Sequence, residues 1–203
     1  MATKKRSKAG KTKPASEKAP AKMTGLSRED AYALGKRLRE ACPRESHAGW
    51  TPAKNRPDAI ELVLEAEKGR VPELLPLRHG RMAKSAFTFY RGAALTMASD
   101  LSTTPVSGLR VQACGDAHLC NFGGFATPER KVIFSINDLD ETLPAPWEWD
   151  VKRLAPSFVV ACRDNGLSDA VAKDTVLTCV RAYRESMSEF SQMKTLELFY
   201  RAM

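Results

Sequence analysis

The stretch that decides the fold is LRVQACGDAHLCNFGGFATPERKVIFSINDLDE, residues 109–141. Apolar residues alternate at Leu109, Val111 and Ala113, and two further short apolar runs flank a Pro-containing turn at 127–130. The pattern predicts a strand, a loop, a second and a third strand joined by the turn, and then a loop rich in acidic residues.

Helices are predicted on both sides of this stretch, so we expect an α+β fold. Upstream, Pro-rich segments between the helices and on to Pro76 are typical of loops packed on a larger body. Downstream, Pro156 lies inside a helical pattern, where it should kink the helix or shift its start. From capping residues and apolar spacing, the helices are expected at 27–42, 58–68, 87–101, about 150–164 and about 168–190.

The charge of the chain is concentrated at its N-terminus. Residues 1–24 carry eight basic side chains and one Glu, a net charge of +7 out of +8 for all 203 residues. This segment has few large apolar residues, so we expect a disordered tail that makes at most weak nonspecific contacts with nucleic acid. The remaining chain is close to neutral, which argues against a basic nucleic-acid-binding domain.

Nothing in the sequence predicts contact with a membrane. No apolar run approaches the roughly 18 residues that a spanning helix needs. The basic N-terminus is not followed by the short apolar segment of a secretory signal. We therefore expect a cytoplasmic protein.

Polar residues that could carry chemistry cluster between Gly115 and Glu141, at the ends of strands that are otherwise apolar. Carboxylates in such places are costly to bury unless they bind cations or protonated partners. Carboxylate and amide oxygens are ligands that suit Mg²⁺ better than zinc. The cluster consists of Asp116, His118, Asn121, Asp138, Asp140 and Glu141.

The spacing of this cluster resembles the catalytic segment of the protein-kinase-like superfamily, in its aminoglycoside-phosphotransferase branch. That branch carries Gly-Asp-x-His-x-x-Asn and then an Ile-Asp-x-x-Asp-like element. The resemblance implies that Asp116 orients or deprotonates an acceptor hydroxyl and that Asn121 and Asp138 bind Mg²⁺. Asp140, in the same acidic loop, is expected to belong to the metal site. The implied cofactors are Mg²⁺ and ATP.

A closer resemblance is to the bacterial domain of unknown function 2252 family, itself considered kinase-like. It covers about residues 78–200 and implies a mostly helical catalytic lobe in which short β-hairpins carry the acidic loops. By this resemblance Asp150 braces the catalytic loop and His118 supports it from within. The resemblance rests on four blocks in order: RGAALTMASDL at 91–101, CGDAHLCNFGGF at 114–125, INDLDET at 136–142 and WEWDVKRLA at 147–155.

The 203 residues contain no glycine-rich phosphate loop, since neither GxGxxG nor GxxxxGK[ST] occurs. In the close family we expect the lobe that covers the nucleotide to follow the catalytic lobe, so the chain resembles the first half of a longer ATP-dependent phosphotransferase. Arg78, Arg81 and Arg91 are candidate substitutes for fixing phosphates. The expected organisation is a tail at 1–24, peripheral helices and loops at 25–77, and a partial catalytic lobe at 78–203.

Two other functions stay open at this point. The chain could be an inactive fragment or binding module whose acidic loops hold the Arg side chains of 152–153 or 78–81. A metal-dependent phosphohydrolase with Asp116 and His118 at a two-metal site is a weaker alternative, because its further motif boxes do not occur. The sequence does not identify the acceptor, which is a hydroxyl of a small molecule or of a protein.

Overall fold

The computed structural model describes residues 25–202, and within them the fold is α+β, as predicted. The tail expected at 1–24 lies outside the described residues. The helices are α1 (Arg28–Ala41), α2 (Ala59–Ala66), α3 (Leu75–Met82), α4 (Ala86–Gly92), α5 (Ala94–Leu101), α6 (Glu148–Asp164), α7 (Asp169–Phe190) and α8 (Thr195–Ala202). The strands are β1 (Arg110–Ala113), β2 (Phe122–Ala126), β3 (Val132–Ile136) and β4 (Leu143–Pro146).

Three of the predicted helices have a polar N-cap at the first residue of the predicted range. The side chains of Ser27, Asp58 and Ser168 each accept a hydrogen bond from a backbone N–H in the first turn of α1, α2 and α7. These bonds satisfy N–H groups that have no partner inside the helix. The three predicted helices are confirmed, although α2 ends before the expected residue 68.

The single helix predicted over 87–101 is wrong. The chain forms α4 and α5 instead, because Ala93 leaves the helical region with φ −113° and ψ 44°. Gly92 lies against Met82, so closely that a Cβ at Gly92 would come 2.6 Å from the sulfur. The carbonyl of Gly92 is also free of the helix and accepts a hydrogen bond of 2.7 Å from Arg78. Tertiary packing therefore overrides the helical periodicity at this point.

Helix α3 and strand β4 are regular elements that the sequence pattern did not predict. Helix α3 has Pro76 in its first turn, a position where the missing N–H of proline costs nothing. Strand β4 contains Pro144 and Pro146 and pairs antiparallel with β1, with Arg110 opposite Pro146 and Ala113 opposite Leu143. The sheet has only these two strands, so proline can face its unpaired edge.

The other sheet is the predicted hairpin. Strands β2 and β3 pair antiparallel, with Phe122 opposite Ile136 and Ala126 opposite Val132. This register sets the residue before β2, Asn121, beside the residue after β3, Asn137, whose N–H donates to the Asn121 carbonyl at 2.9 Å. The hairpin thus brings the Gly-Asp loop and the acidic loop together at its open end.

Helix α6 runs beneath both loops. It begins at Glu148, two residues earlier than expected, and continues through Pro156, which has no N–H to donate to the Lys152 carbonyl. Within residues 25–202 no helix combines the length and the apolar character needed to cross a membrane.

Candidate functional site

One face of α6 holds the Gly-Asp loop at three points. The Asp150 carboxylate accepts hydrogen bonds from the backbone N–H groups of Cys114 at 2.8 Å and Gly115 at 3.0 Å. Arg153 binds the side chain of Asp116, and the Ser157 hydroxyl accepts a hydrogen bond from the Leu119 N–H at 3.0 Å. These helix residues are spaced i, i+3 and i+7 and therefore share a face. The loop conformation is fixed by the helix.

Asp116 is ion-paired with a buried arginine. Arg153, only 2% exposed, donates to Asp116 Oδ1 from Nε at 3.0 Å and from Nη2 at 2.6 Å. The same Nη2 donates to the Tyr90 carbonyl at 2.6 Å, and the guanidinium lies 4.2 Å from the centre of the Tyr90 ring. The Tyr90 hydroxyl donates back to the Arg153 carbonyl at 2.7 Å. Both guanidinium bonds to the carboxylate end on Oδ1, so Arg153 leaves Oδ2 free.

His118 faces the other oxygen of the same carboxylate. Its Nε2 lies 3.6 Å from Asp116 Oδ2, and its buried Nδ1 has no hydrogen-bond partner among the described residues. Burial lowers the pKa of His118, the Asp116 carboxylate opposes this, and the positive charges of Arg153 and Arg91 lower the pKa further. The lowered pKa favours the neutral imidazole at pH 7.

Asn121 connects the two loops. Its side-chain Nδ2 donates to the carbonyls of Asp116 and Asp138, each at 3.0 Å, and its Oδ1 accepts the Asp138 N–H at 2.9 Å. The residue is 4% exposed, and both polar atoms of its amide are engaged by backbone. The geometry gives Asn121 a bridging role between the loops. The cation-binding role expected for Asn121 stays a prediction, and it would use the second lone pair of Oδ1.

The acidic loop that follows β3 is exposed at Asp138 and Asp140. Asp138 Oδ1 accepts the Asp140 N–H at 3.0 Å, and neither side chain forms an ion pair with a described residue. Burial raises the pKa of the next carboxyl, Glu141, and the charges of Asp116, Asp138 and Asp140 raise it further, against the opposing charge of Arg70. The acidic groups are therefore close enough to repel one another.

Gly115 allows the two loops to approach. Its φ is +79°, and a Cβ at this position would lie 2.1 Å from the Glu141 carbonyl oxygen. Only glycine meets both conditions, because other residues rarely adopt positive φ and any side chain would collide with the backbone. The glycine of the Gly-Asp motif is thus explained by close packing of the acidic loop.

The described residues contain no preformed metal cage. No group of three or more His, Cys, Asp or Glu side chains in the described part of the chain is arranged to hold a metal ion. Mg²⁺ is commonly bound through one or two carboxylates, with water and substrate phosphates completing its shell. Asp138 and Asp140 offer that kind of ligand.

Two of the three anchors on α6, Arg153 and Ser157, carry no motif of their own in the sequence. The family resemblance implies a bracing role for Asp150, whereas Arg153 was expected only as an arginine that acidic loops hold, and Ser157 carried no expectation. A usable signal was present in the spacing of Asp150, Arg153 and Ser157, which lie on one helical face directly after the acidic loop.

Comparison with known proteins gives one match. No curated protein and no solved structure matches the chain. Residues 70–203, more than half of the chain, match a family described as an uncharacterized protein conserved in bacteria. The matched range includes both loops, the hairpin and α6, and the chain accordingly belongs to the DUF2252 family.

Proposed function

We propose that this chain carries the acceptor-orienting and cation-binding part of a phosphoryl-transfer site. Asp116 orients a hydroxyl of the acceptor, and Asp138 with Asp140 holds Mg²⁺ at the phosphates of a nucleotide such as ATP. The proposal extends the resemblance to kinase-like phosphotransferases and goes beyond the family membership.

The observation that carries the proposal is the Asn121 bridge. A single buried amide holds the backbone at Asp116 and at Asp138 side by side with three hydrogen bonds. Phosphoryl transfer requires a group that positions the acceptor and a cation that meets the phosphates, with little covalent chemistry from the protein. A fixed distance between the two loops serves that requirement.

The chain's own groups have separate tasks in this proposal. Arg153 fixes the Asp116 carboxylate through Oδ1, so Oδ2 is the oxygen that accepts the hydrogen bond of the acceptor hydroxyl. Neutral His118 lies next to Oδ2 and adds no charge there. When bound, Mg²⁺ neutralises the phosphate charge that develops during transfer. Among the described residues, no basic side chain forms an ion pair with the exposed carboxylates of Asp138 and Asp140, so none competes with Mg²⁺ for them.

A structural role is the second candidate, and the Arg153 ion pair favours it. A buried guanidinium occupies one oxygen of Asp116, as expected for an acidic loop that holds an arginine. In this candidate the acidic loop binds no cation, and removing the charge of Asp138 relieves repulsion without loss of function. The phosphohydrolase alternative stays a prediction.

The two candidates are separated by binding of Mn²⁺, which replaces Mg²⁺ in oxygen-ligand sites and is visible by electron paramagnetic resonance. The chain is titrated with Mn²⁺, together with Asp138→Asn and a matched control, Asp174→Asn. Asp174 is an exposed carboxylate on α7, so both variants remove one exposed charge.

The proposal predicts one saturable Mn²⁺ site that Mg²⁺ displaces. It predicts that Asp138→Asn weakens this site at least tenfold while Asp174→Asn leaves it unchanged. Weak binding that both variants reduce equally, or no saturable binding, supports the structural candidate and overturns the proposal.

A further inference from the structure

We infer that Arg91 is an anion-binding residue of the Asp116 site and takes the oxygens of a phosphate group. This inference rests on the proposed function and names a residue that would hold one of its reactants. It adds a cationic contact to a site so far described by its carboxylates.

The structure distinguishes Arg91 from the other arginines around the site. Arg78 donates from Nε to Glu67 at 3.3 Å and from Nη2 to the Gly92 carbonyl at 2.7 Å, so two of its three nitrogens are engaged. Arg153 is engaged by Asp116, and Arg70 lies 3.4 Å from Glu141. The exposed side chain of Arg91 makes no hydrogen bond or ion pair with any residue in the range 25–202.

The backbone places Arg91 next to the reacting carboxylate. The peptide bond that joins Tyr90 to Arg91 carries the carbonyl that accepts from Arg153 Nη2 at 2.6 Å. The same Nη2 lies 2.6 Å from Asp116 Oδ1. One guanidinium nitrogen of Arg153 therefore contacts both the Tyr90 carbonyl, in the peptide bond to Arg91, and the Asp116 carboxylate. The distance between these two groups is one that an extended arginine side chain spans.

The positive charge of Arg91 acts on His118, which lies beside the other oxygen of that carboxylate. It helps to lower the pKa of His118, whose imidazole faces Asp116 Oδ2. Asp116 is already paired with Arg153, so its charge does not neutralise Arg91. A guanidinium with all its donors available matches the paired oxygens of a phosphate.

The test uses inorganic phosphate as the probe, in EDTA and at constant ionic strength set with sodium chloride. Binding is followed by thermal unfolding and by ³¹P line broadening for the unmodified chain, Arg91→Gln and the control Arg37→Gln. Arg37 is exposed on α1, so both variants remove one exposed arginine. The basic segment 1–24 is common to all three proteins.

The inference predicts saturable phosphate binding that Arg91→Gln weakens at least tenfold and Arg37→Gln leaves unchanged, because a charged hydrogen bond of about 1.5 kcal/mol corresponds to that factor. Equal binding by all three proteins, an equal loss in both variants, or no saturable binding overturns it. Mn²⁺ binding at Asp138 is measured separately, so the proposed function can hold where this inference fails.

A second arm identifies which reactant carries the phosphate. If it is the donor, Mg²⁺-dependent binding of tripolyphosphate falls in both Arg91→Gln and Asp138→Asn. If it is the acceptor, binding of a sugar phosphate in EDTA falls in Arg91→Gln alone. Either pattern supports the role of Arg91. If Arg91→Gln changes the binding of neither tripolyphosphate nor the sugar phosphate, the role is contradicted.

Discussion

Replacing Arg153 with methionine tests whether the ion pair with Asp116 holds the Gly-Asp loop. Arg153 is 2% exposed, and its removal leaves the Asp116 carboxylate and the Tyr90 carbonyl without the guanidinium that donates to them. Breaking a buried pair costs about 3–5 kcal/mol of unfolding free energy. The Asp116 side chain keeps 19% of its exposure, so water offsets part of the loss and we expect about 3 kcal/mol.

A double-mutant cycle measures the pair itself. Arg153→Met, Asp116→Asn and the double variant are unfolded in urea and followed by circular dichroism. We expect a coupling of about 2 kcal/mol, since the second substitution removes the charge that the first left unpaired. Arg184→Met is the control, because Arg184 is exposed and, among residues 25–202, pairs only with its neighbour Glu185 at 3.4 Å. A cost for Arg153→Met no larger than the control, or additive single effects, refutes the reasoning.

The remaining predictions concern the loops. Gly115→Ala should cost at least about 2 kcal/mol more than Gly108→Ala, because both glycines have positive φ but only Gly115 packs against backbone, and equal costs in urea unfolding contradict this. Asn121→Ala should cost about 3 kcal/mol, since three backbone groups lose their partner, and a loss below about 1 kcal/mol in the same assay argues against the bridge. The folded-state pKa of His118 lies below its usual 6.5. As the pH falls through 6.5, the imidazole is therefore protonated in the unfolded chain but not in the folded chain. Native stability should then fall by up to about 1.4 kcal/mol per pH unit until the folded-state pKa is reached, and His118→Gln should remove this part of the slope, whereas an unchanged slope rules out the effect.

Local signals were sufficient for much of the fold. Ser27, Asp58 and Ser168 cap helices because a short polar side chain satisfies the free N–H groups of a first turn, whatever the rest of the protein does. The hairpin was equally readable, since alternating apolar residues flank a short turn.

Other features depend on tertiary contacts that no local pattern encodes. The break after Gly92 follows from its packing on Met82, and β4 forms in spite of two prolines because β1 offers a partner. At the candidate site the motif pointed to Asp116 and Asp138. The engagement of Asn121 by backbone and of Asp116 by Arg153 could be known only from the spatial arrangement of α6 and the hairpin.

The most direct test of the account is whether one cation lies between the two loops. Mn²⁺ is added in substoichiometric amounts to ¹⁵N-labelled protein, and paramagnetic broadening of the amide signals is mapped. The account predicts selective broadening at 115–118 and 138–141, removed by Asp138→Asn. Broadening centred on other acidic surfaces, or broadening of the two loops that Asp138→Asn leaves unchanged, would contradict it.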